Sequence, residues 1–231
     1  YKRLVESKTL PTTAVPALGD FISVFEKAAE EADELLVITI SHKLSGTYET
    51  ANRAADMVKQ KVKIKVIDSL HVVMGEGLLV IRAAEAAKEG ARLDEIVKLV
   101  KSYIPRSETR MAFDTLEYLK RGGRIGAAQA FLGSILKVNP VLGLKDGEVY
   151  PVARERSRSK ALESLYNFAA GFTKIEALAV EDATTPEEAD KLAERLHAAF
   201  PDVPLYRSKV GAVIGAHVGP SVIAVSLIGD R

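Results

Sequence analysis

The chain has 231 residues and no cysteine, so disulfides, thiolate nucleophiles and cysteine-based metal sites are excluded, and a reducing compartment is the simplest setting. Tryptophan is absent too. Neither sign of charge is in excess: 32 basic against 31 acidic residues leave a net charge of +1, which gives no reason to invoke nucleic acid or an anionic membrane as partner. No run reaches the roughly 18 apolar residues of a membrane-spanning helix, and no charged-then-apolar export pattern stands near the start. A soluble, cytoplasmic protein is therefore expected. His42, His71 and His197 lack the mutual spacing of a metal site. There is no Gly-x-x-x-x-Gly-Lys-Ser/Thr loop for ATP, no internal repeat and no low-complexity linker. Neither a metal nor a cofactor is expected.

What is present is a 47% hydrophobic chain, ample for the core of one large domain or two of modest size. Its organising stretch is Leu35 to Met57. The run Leu35-Leu36-Val37-Ile38-Thr39-Ile40 shows no polar alternation, which predicts a strand buried on both faces of a parallel sheet. After a polar turn, Leu44-Ser45-Gly46-Thr47 opens a segment with Tyr48, Ala51, Ala55 and Val58 at helical spacing. Ligands of parallel sheets sit beyond the carboxyl ends of the strands. Ser45-Gly46-Thr47 thus falls where unpaired N–H groups and a helix dipole can hold an anion.

On either side, the chain alternates. Residues 1–9 read as a helix end, 10–16 as an extended connector set by Pro11 and Pro16, and Phe21 to Ala32 as a helix with Phe21, Val24, Phe25 and Ala28 on one face. Val62 to Ile67 reads as an edge strand ending at Asp68-Ser69, and Glu76 to Glu89 and Leu93 to Ile104 as helices. From about residue 106 the pattern changes. Thr109 to Phe113 reads as a strand and Thr115 to Arg121 as a helical turn, followed by a Gly122-Gly123-Arg124 break in which a glycine takes positive φ. Pro140 to Leu144 and Glu148 to Val152 flank Lys145-Asp146-Gly147 as a hairpin. Ser159 to Ala170 reads as a helix and Lys174 to Val180 as a strand. Thr185-Pro186-Glu187-Glu188 is a capping box for a helix running to about Phe200. Val203 to Arg207 and Val222 to Leu227 close the fold. The predicted fold class is α/β: a parallel-sheet α/β domain over residues 1–105 and an α+β domain with a mostly antiparallel sheet over residues 106–231.

Ser45 reads three ways: as an anion ligand, a nucleophile or a helix N-cap. The segment is not Gly-x-Ser-x-Gly, and no spacing sets a His or an acid beside it. Thr12 and Thr13 are turn residues or ligands in a proline-bounded loop. Arg121-Gly122-Gly123-Arg124 sets two guanidiniums around a flexible break, suited either to a carboxylate or phosphate or to a solvated loop. Arg154, Arg156, Arg158 and Lys160 read as a solvated strand end diluted by Glu155. Gly211 to Pro220 holds His217 among small and apolar residues, either as a core histidine or where another group approaches the backbone closely.

Five blocks in order, Pro11-Thr12-Thr13, Leu44-Ser45-Gly46-Thr47-Tyr48, Val66-Ile67-Asp68-Ser69, Leu116 to Ile125 around Arg121-Gly122-Gly123-Arg124, and Ile214-Gly215-Ala216-His217-x-Gly219-Pro220, resemble the DegV family over essentially the whole chain. Characterised members of that family are the fatty-acid-binding subunits of bacterial fatty acid kinase. The resemblance implies a carrier, not itself an enzyme, that holds a long-chain fatty acid between two domains and presents its carboxylate to a separate kinase catalytic subunit. It implies that Thr13 and Ser45, with Gly46 and Thr47 beside them, bind the carboxylate. Arg124 and His217, near the carboxyl end of the ligand, would serve the phosphotransfer. Two features depart from the family pattern. An opening strand ending in Asp-Ser ahead of the Pro-Thr-Thr block is missing, and Ser221 stands where a third glycine is common. With Tyr1 in place of Met and an amphipathic-looking start, further chain is expected to precede residue 1. Two readings from other classes stay open: a serine-dependent hydrolase using Ser45 with His217, and a binder of small phosphorylated metabolites cradled by Ser45-Gly46-Thr47 and Arg124.

Overall fold

In the computed structural model a short helix, α1 (Lys2–Glu6), and an irregular connector precede α2 (Leu18–Ala28), β1 (Glu34–Thr39), α3 (Thr47–Val58), β2 (Lys63–Asp68), α4 (Met74–Lys88) and α5 (Leu93–Tyr103). The structure describes residues 1–7, 9–132 and 138–231; residue 8, inside the helix end read from the sequence, lies outside the described residues. β1 and β2 pair in parallel from Glu34↔Lys63 to Thr39↔Asp68. On α3, Ala51, Ala54 and Val58 are buried and cluster with Phe25 of α2 and Val62.

β1 departs from its reading as a strand buried on both faces: Leu35 to Ile38 are only half-buried. Among the described residues β2 is its one partner, and an apolar groove of about 700 Å³ runs beside it, lined in part by Phe21, Val24, Phe25, Leu36 and Val80. A continuous apolar run reports that a strand is hydrophobic; it does not report how many neighbours cover it.

The second half of the chain builds β3 (Ser107–Ala112), α6 (Glu117–Arg121), β4 (Asn139–Lys145), β5 (Glu148–Glu155), α7 (Arg158–Ala170), β6 (Lys174–Asp182), α8 (Pro186–Ala199), β7 (Leu205–Lys209), α9 (Ala212–Val218) and β8 (Ile223–Asp230). The strands form one sheet in the order β5-β4-β3-β8-β6-β7, antiparallel except for the parallel pair β6–β7. The class is α/β, as the alternation predicts, with a small parallel sheet and a larger mixed one. The β4–β5 turn places Asp146 at φ 51° and Gly147 at φ 83°, the geometry whose twist matches a two-residue hairpin. α9 was not legible in the sequence. The helix read from Leu93 ends one residue early, and Ile104–Arg106 with Pro105 form a 3₁₀ turn.

The larger sheet is covered on both faces. α7 and α8 bury Ala161, Leu165, Leu192 and Leu196 against Leu178, Val180, Val225 and Leu227. On the opposite face α4 and α5 place Leu78, Leu79, Ile96 and Val100 against Ala177, Ala179 and Ile228, and the same cluster takes in Ile67 of β2. α4 and α5 are therefore shared between the two sheets. Among the described residues no helix is long and apolar enough to cross a membrane.

The capping box expected at Thr185 does not form. Thr185 is the N-cap and Pro186 follows it, but no side-chain cap bond is made. Arg158 takes both partners: it donates to the Glu188 carboxylate at 3.0 and 3.1 Å and approaches Thr185 Oγ1 at 3.5 Å. A guanidinium bonding a carboxylate with two N–H groups outcompetes a neutral backbone donor.

Glu181 of β6 is 2% exposed and accepts a hydrogen bond from the Met74 N–H at 3.0 Å, which anchors the start of α4. Burial pushes its carboxyl up to about 7. The folded state then holds the Glu181 proton more tightly than the unfolded chain does, so its contribution is complete below the usual carboxylate range and is lost as pH rises toward 7. Glu181→Gln keeps an acceptor for Met74 and removes the titration. In denaturant titrations at a series of pH values, the variant should gain stability relative to the parent between pH 5 and 8, by up to about 3 kcal/mol. A pH-independent difference would show that Glu181 does not carry the shift.

Candidate functional site

A cavity of about 650 Å³ lies where the connector around Thr13, the loop after β1, the start of α4 and the α6 and α9 segments meet. Most of its wall is apolar, including Val15, Ile38, Ile40, Val72, Met111 and Ile214. Thr13, Ser45, Thr47, Arg124 and His217 line the same cavity.

These polar groups are held by two side-chain pairs, Thr13–His217 and Ser45–Thr47, and by Arg124 bonds to backbone carbonyls. Thr13 Oγ1 and His217 Nε2 are 2.8 Å apart, across 204 positions of sequence. His217 ends α9. Gly122 lies so close beneath the ring that a Cβ there would overlap Nδ1. Gly122 is thus needed for close approach, and the residue with left-handed backbone in this break is Gly123, at φ 68°. Arg124 follows, donating from Nη1 to the Gly122 carbonyl at 2.8 Å and from Nε to the Leu44 carbonyl at 3.1 Å. It thereby fastens the break to the loop that carries Ser45. Ser45 Oγ lies 2.8 Å from Thr47 Oγ1, and the Thr47 N–H reaches it at 3.4 Å.

The structure corrects one reading of Ser45. The N-cap of α3 is Gly46, with no side-chain cap bond, so Ser45 stands one residue outside the helix. Gly46 itself is not among the residues lining the cavity and sits against Val15. Arg121 turns away to pair with Glu117 at 2.5 Å. Of the basic run that begins in β5, Arg156 and Lys160 are exposed as read, whereas Arg154 donates to the Ala130 carbonyl and stacks on Phe131, and Arg158 pairs with Glu188 and Asp114. His42 pairs with Asp68 at the carboxyl end of β2.

His217 is held below the ordinary imidazole range, first by burial and then by the nearby Arg124 guanidinium. Its Nδ1 has no hydrogen-bond partner among the described residues. The ring is therefore neutral at physiological pH, able to donate or accept at Nε2 and poised to take charge only if an anion arrives beside Arg124.

Sequence reasoning missed Thr39, Val73 and Glu76, all on the cavity wall. Val73 is the N-cap of α4 and holds φ 55°, a strained value for a β-branched residue. Glu76 follows in the first turn, pushed up to about 7 by burial and then by Asp68. The available signal was Met74-Gly75-Glu76-Gly77, an acid set between two glycines at the head of an apolar helix.

The DegV family profile matches residues 1–230. A DegV domain-containing protein of Clostridium perfringens is 36% identical over 232 residues, spanning 98% of this chain and 82% of the relative. Among solved structures, a Thermus thermophilus DegV family protein described as fatty acid binding superposes with a TM-score of 0.90 at 34% identity, covering 99% of this chain and 82% of that one. DegV of Bacillus subtilis, described as a fatty acid binding protein, superposes with a TM-score of 0.88 at 32% identity, over 100% of this chain and 83% of its own.

Arg124→Gln should raise the His217 titration midpoint toward the ordinary imidazole value without reaching it, because burial persists. Proton-detected NMR of the ring measures this, and an unchanged midpoint would mean that the two groups are not electrostatically coupled. Gly122→Ala should displace the ring and break its bond to Thr13, seen as a changed His217 resonance in a protein that still melts cooperatively.

Proposed function

The chain belongs to the DegV family, and from that premise we propose that it holds one long-chain fatty acid in the 650 Å³ cavity, its carboxylate received by the Thr13 and Ser45 hydroxyls. The observation that carries this reading is the division of one cavity wall into a few polar groups, Thr13, Ser45, Thr47, Arg124 and His217, and a mostly apolar remainder. An acyl chain needs that division: each buried methylene contributes about 0.8 kcal/mol, and a few fixed donors orient the head. The volume falls within the roughly 300–1,000 Å³ usual for small-molecule sites. The two solved relatives described as fatty acid binding, both above 30% identity, support the same ligand class.

We further propose that the protein is a carrier that presents the carboxylate to a separate kinase subunit and is not catalytic alone. Hydroxyls orient a carboxylate without neutralising the oxygen that must attack phosphorus. Arg124, already tied to two carbonyls, then stabilises the charge that develops on the transferred phosphoryl group, with His217 beside it. The hydrolase reading has less support. Among the described residues Ser45 Oγ is paired with Thr47 and His217 Nε2 with Thr13, so the nucleophile–base bond is not assembled. A small phosphorylated metabolite would leave most of the apolar wall unfilled.

Native mass spectrometry of the purified protein should reveal one bound long-chain acid. Thr13→Val and Ser45→Ala should each weaken fatty-acid binding about ten-fold or more, the range for a lost hydrogen bond to a charged group. Arg124→Ala should spare binding while abolishing acyl-phosphate formation when a fatty acid kinase subunit is added. Loss of binding in Arg124→Ala would instead assign Arg124 to the ground-state head group.

A further inference from the structure

Thr13 Oγ1 and His217 Nε2 are paired, but besides His217 Nδ1 a further polar group on the cavity wall, the Glu76 carboxyl, has no protein partner among the described residues. Among the described residues no donor reaches the Glu76 carboxyl, and its charged neighbour is Asp68, which is already paired with His42. A carboxyl on an apolar cavity wall with no protein partner is open to a ligand group that supplies one.

The backbone that delivers Glu76 is constrained. Gly75 lets the first turn of α4 press onto β3 and the β2–α4 loop, where a Cβ would lie 2.6 Å from Thr109 Oγ1 and 3.2 Å from His71 Nδ1. Val73, one residue before the helix, carries the left-handed strain already described. At its far side the Met74 N–H is fixed by Glu181. With the turn held on these sides, the Glu76 side chain is committed to the cavity.

Resting on the lipid-binding reading, we propose that Glu76 is a specificity-determining residue and that the cavity selects acyl chains bearing a hydroxyl group along the tail. A hydroxyl both donates and accepts, so it matches the carboxyl in either protonation state. A second carboxylate would be repelled by Asp68 and by Glu76 itself. A plain methylene chain leaves Glu76 unpaired.

The test is competition by palmitic acid, and by hydroxypalmitic acids with the hydroxyl at successive carbons, for a bound fluorescent fatty acid. The intact protein should bind at least one hydroxypalmitic acid about ten-fold more tightly than palmitic acid. Glu76→Leu should bind palmitic acid more tightly and lose the preference, whereas Glu76→Gln, which can still donate and accept, should keep it. Palmitic acid binding at least as well as every hydroxylated isomer, or a preference unchanged in Glu76→Leu, would overturn the Glu76 assignment and leave the lipid-carrier reading standing. Failure of every acid to displace the probe would overturn both.

Discussion

A polar atom on the wall of an apolar cavity must find a partner, and this need shapes the site more than any single residue does. Thr13 is answered by His217, Ser45 by Thr47, and the Arg124 guanidinium by two backbone carbonyls. Two of these bonds join distant parts of the chain: Thr13–His217 links the connector before α2 to the last turn of α9, and Arg124–Leu44 links the break after α6 to the loop after β1. The pairs therefore fix the relative placement of loops that are otherwise free to drift. The same rule singles out Glu76, which lines the cavity without a protein hydrogen-bond partner among the described residues.

Packing beneath the site makes that placement possible. α4 and α5 belong to the cores of both sheets, so the carboxyl ends of β1 and β2 are held at a set distance from the larger sheet. The β4–β5 hairpin reaches across to the same region, where Ser41 donates to the Gly147 carbonyl at 2.7 Å. Ser41 is fully buried, and its backbone carbonyl receives the Ser45 N–H at 3.1 Å. A hairpin in one sheet thus braces the loop that carries Ser45 in the other.

How much of this could be read from residues alone varied with the range of the interactions involved. Helices and strands with clear periodicity, and the Lys145-Asp146-Gly147 turn, were legible because local spacing decides them. α9 was not: Gly211, Val213, Ile214 and Gly215 have poor helix propensity, and the helix exists through tertiary contacts with α6 and with the Tyr1 ring. The Thr185 capping box failed because a residue 27 positions away, Arg158, competes for its partners. Thr13, Ser45, Arg124 and His217 could each be noticed, but their meeting on one cavity wall is a property of topology. Glu76 was hidden for a different reason. An acid in the first turn of a helix is ordinarily explained by the dipole, and nothing local says that it faces a cavity.

The position of β8 has a consequence for biosynthesis. It is the last strand of the chain, yet it lies between β3 and β6, in the middle of the larger sheet. Until residues 223–230 leave the ribosome, the two halves of that sheet have no common neighbour. A nascent chain therefore carries Thr13, Ser45 and Arg124 well before β8 pairs with β3, the strand that puts Met111 on the same cavity wall.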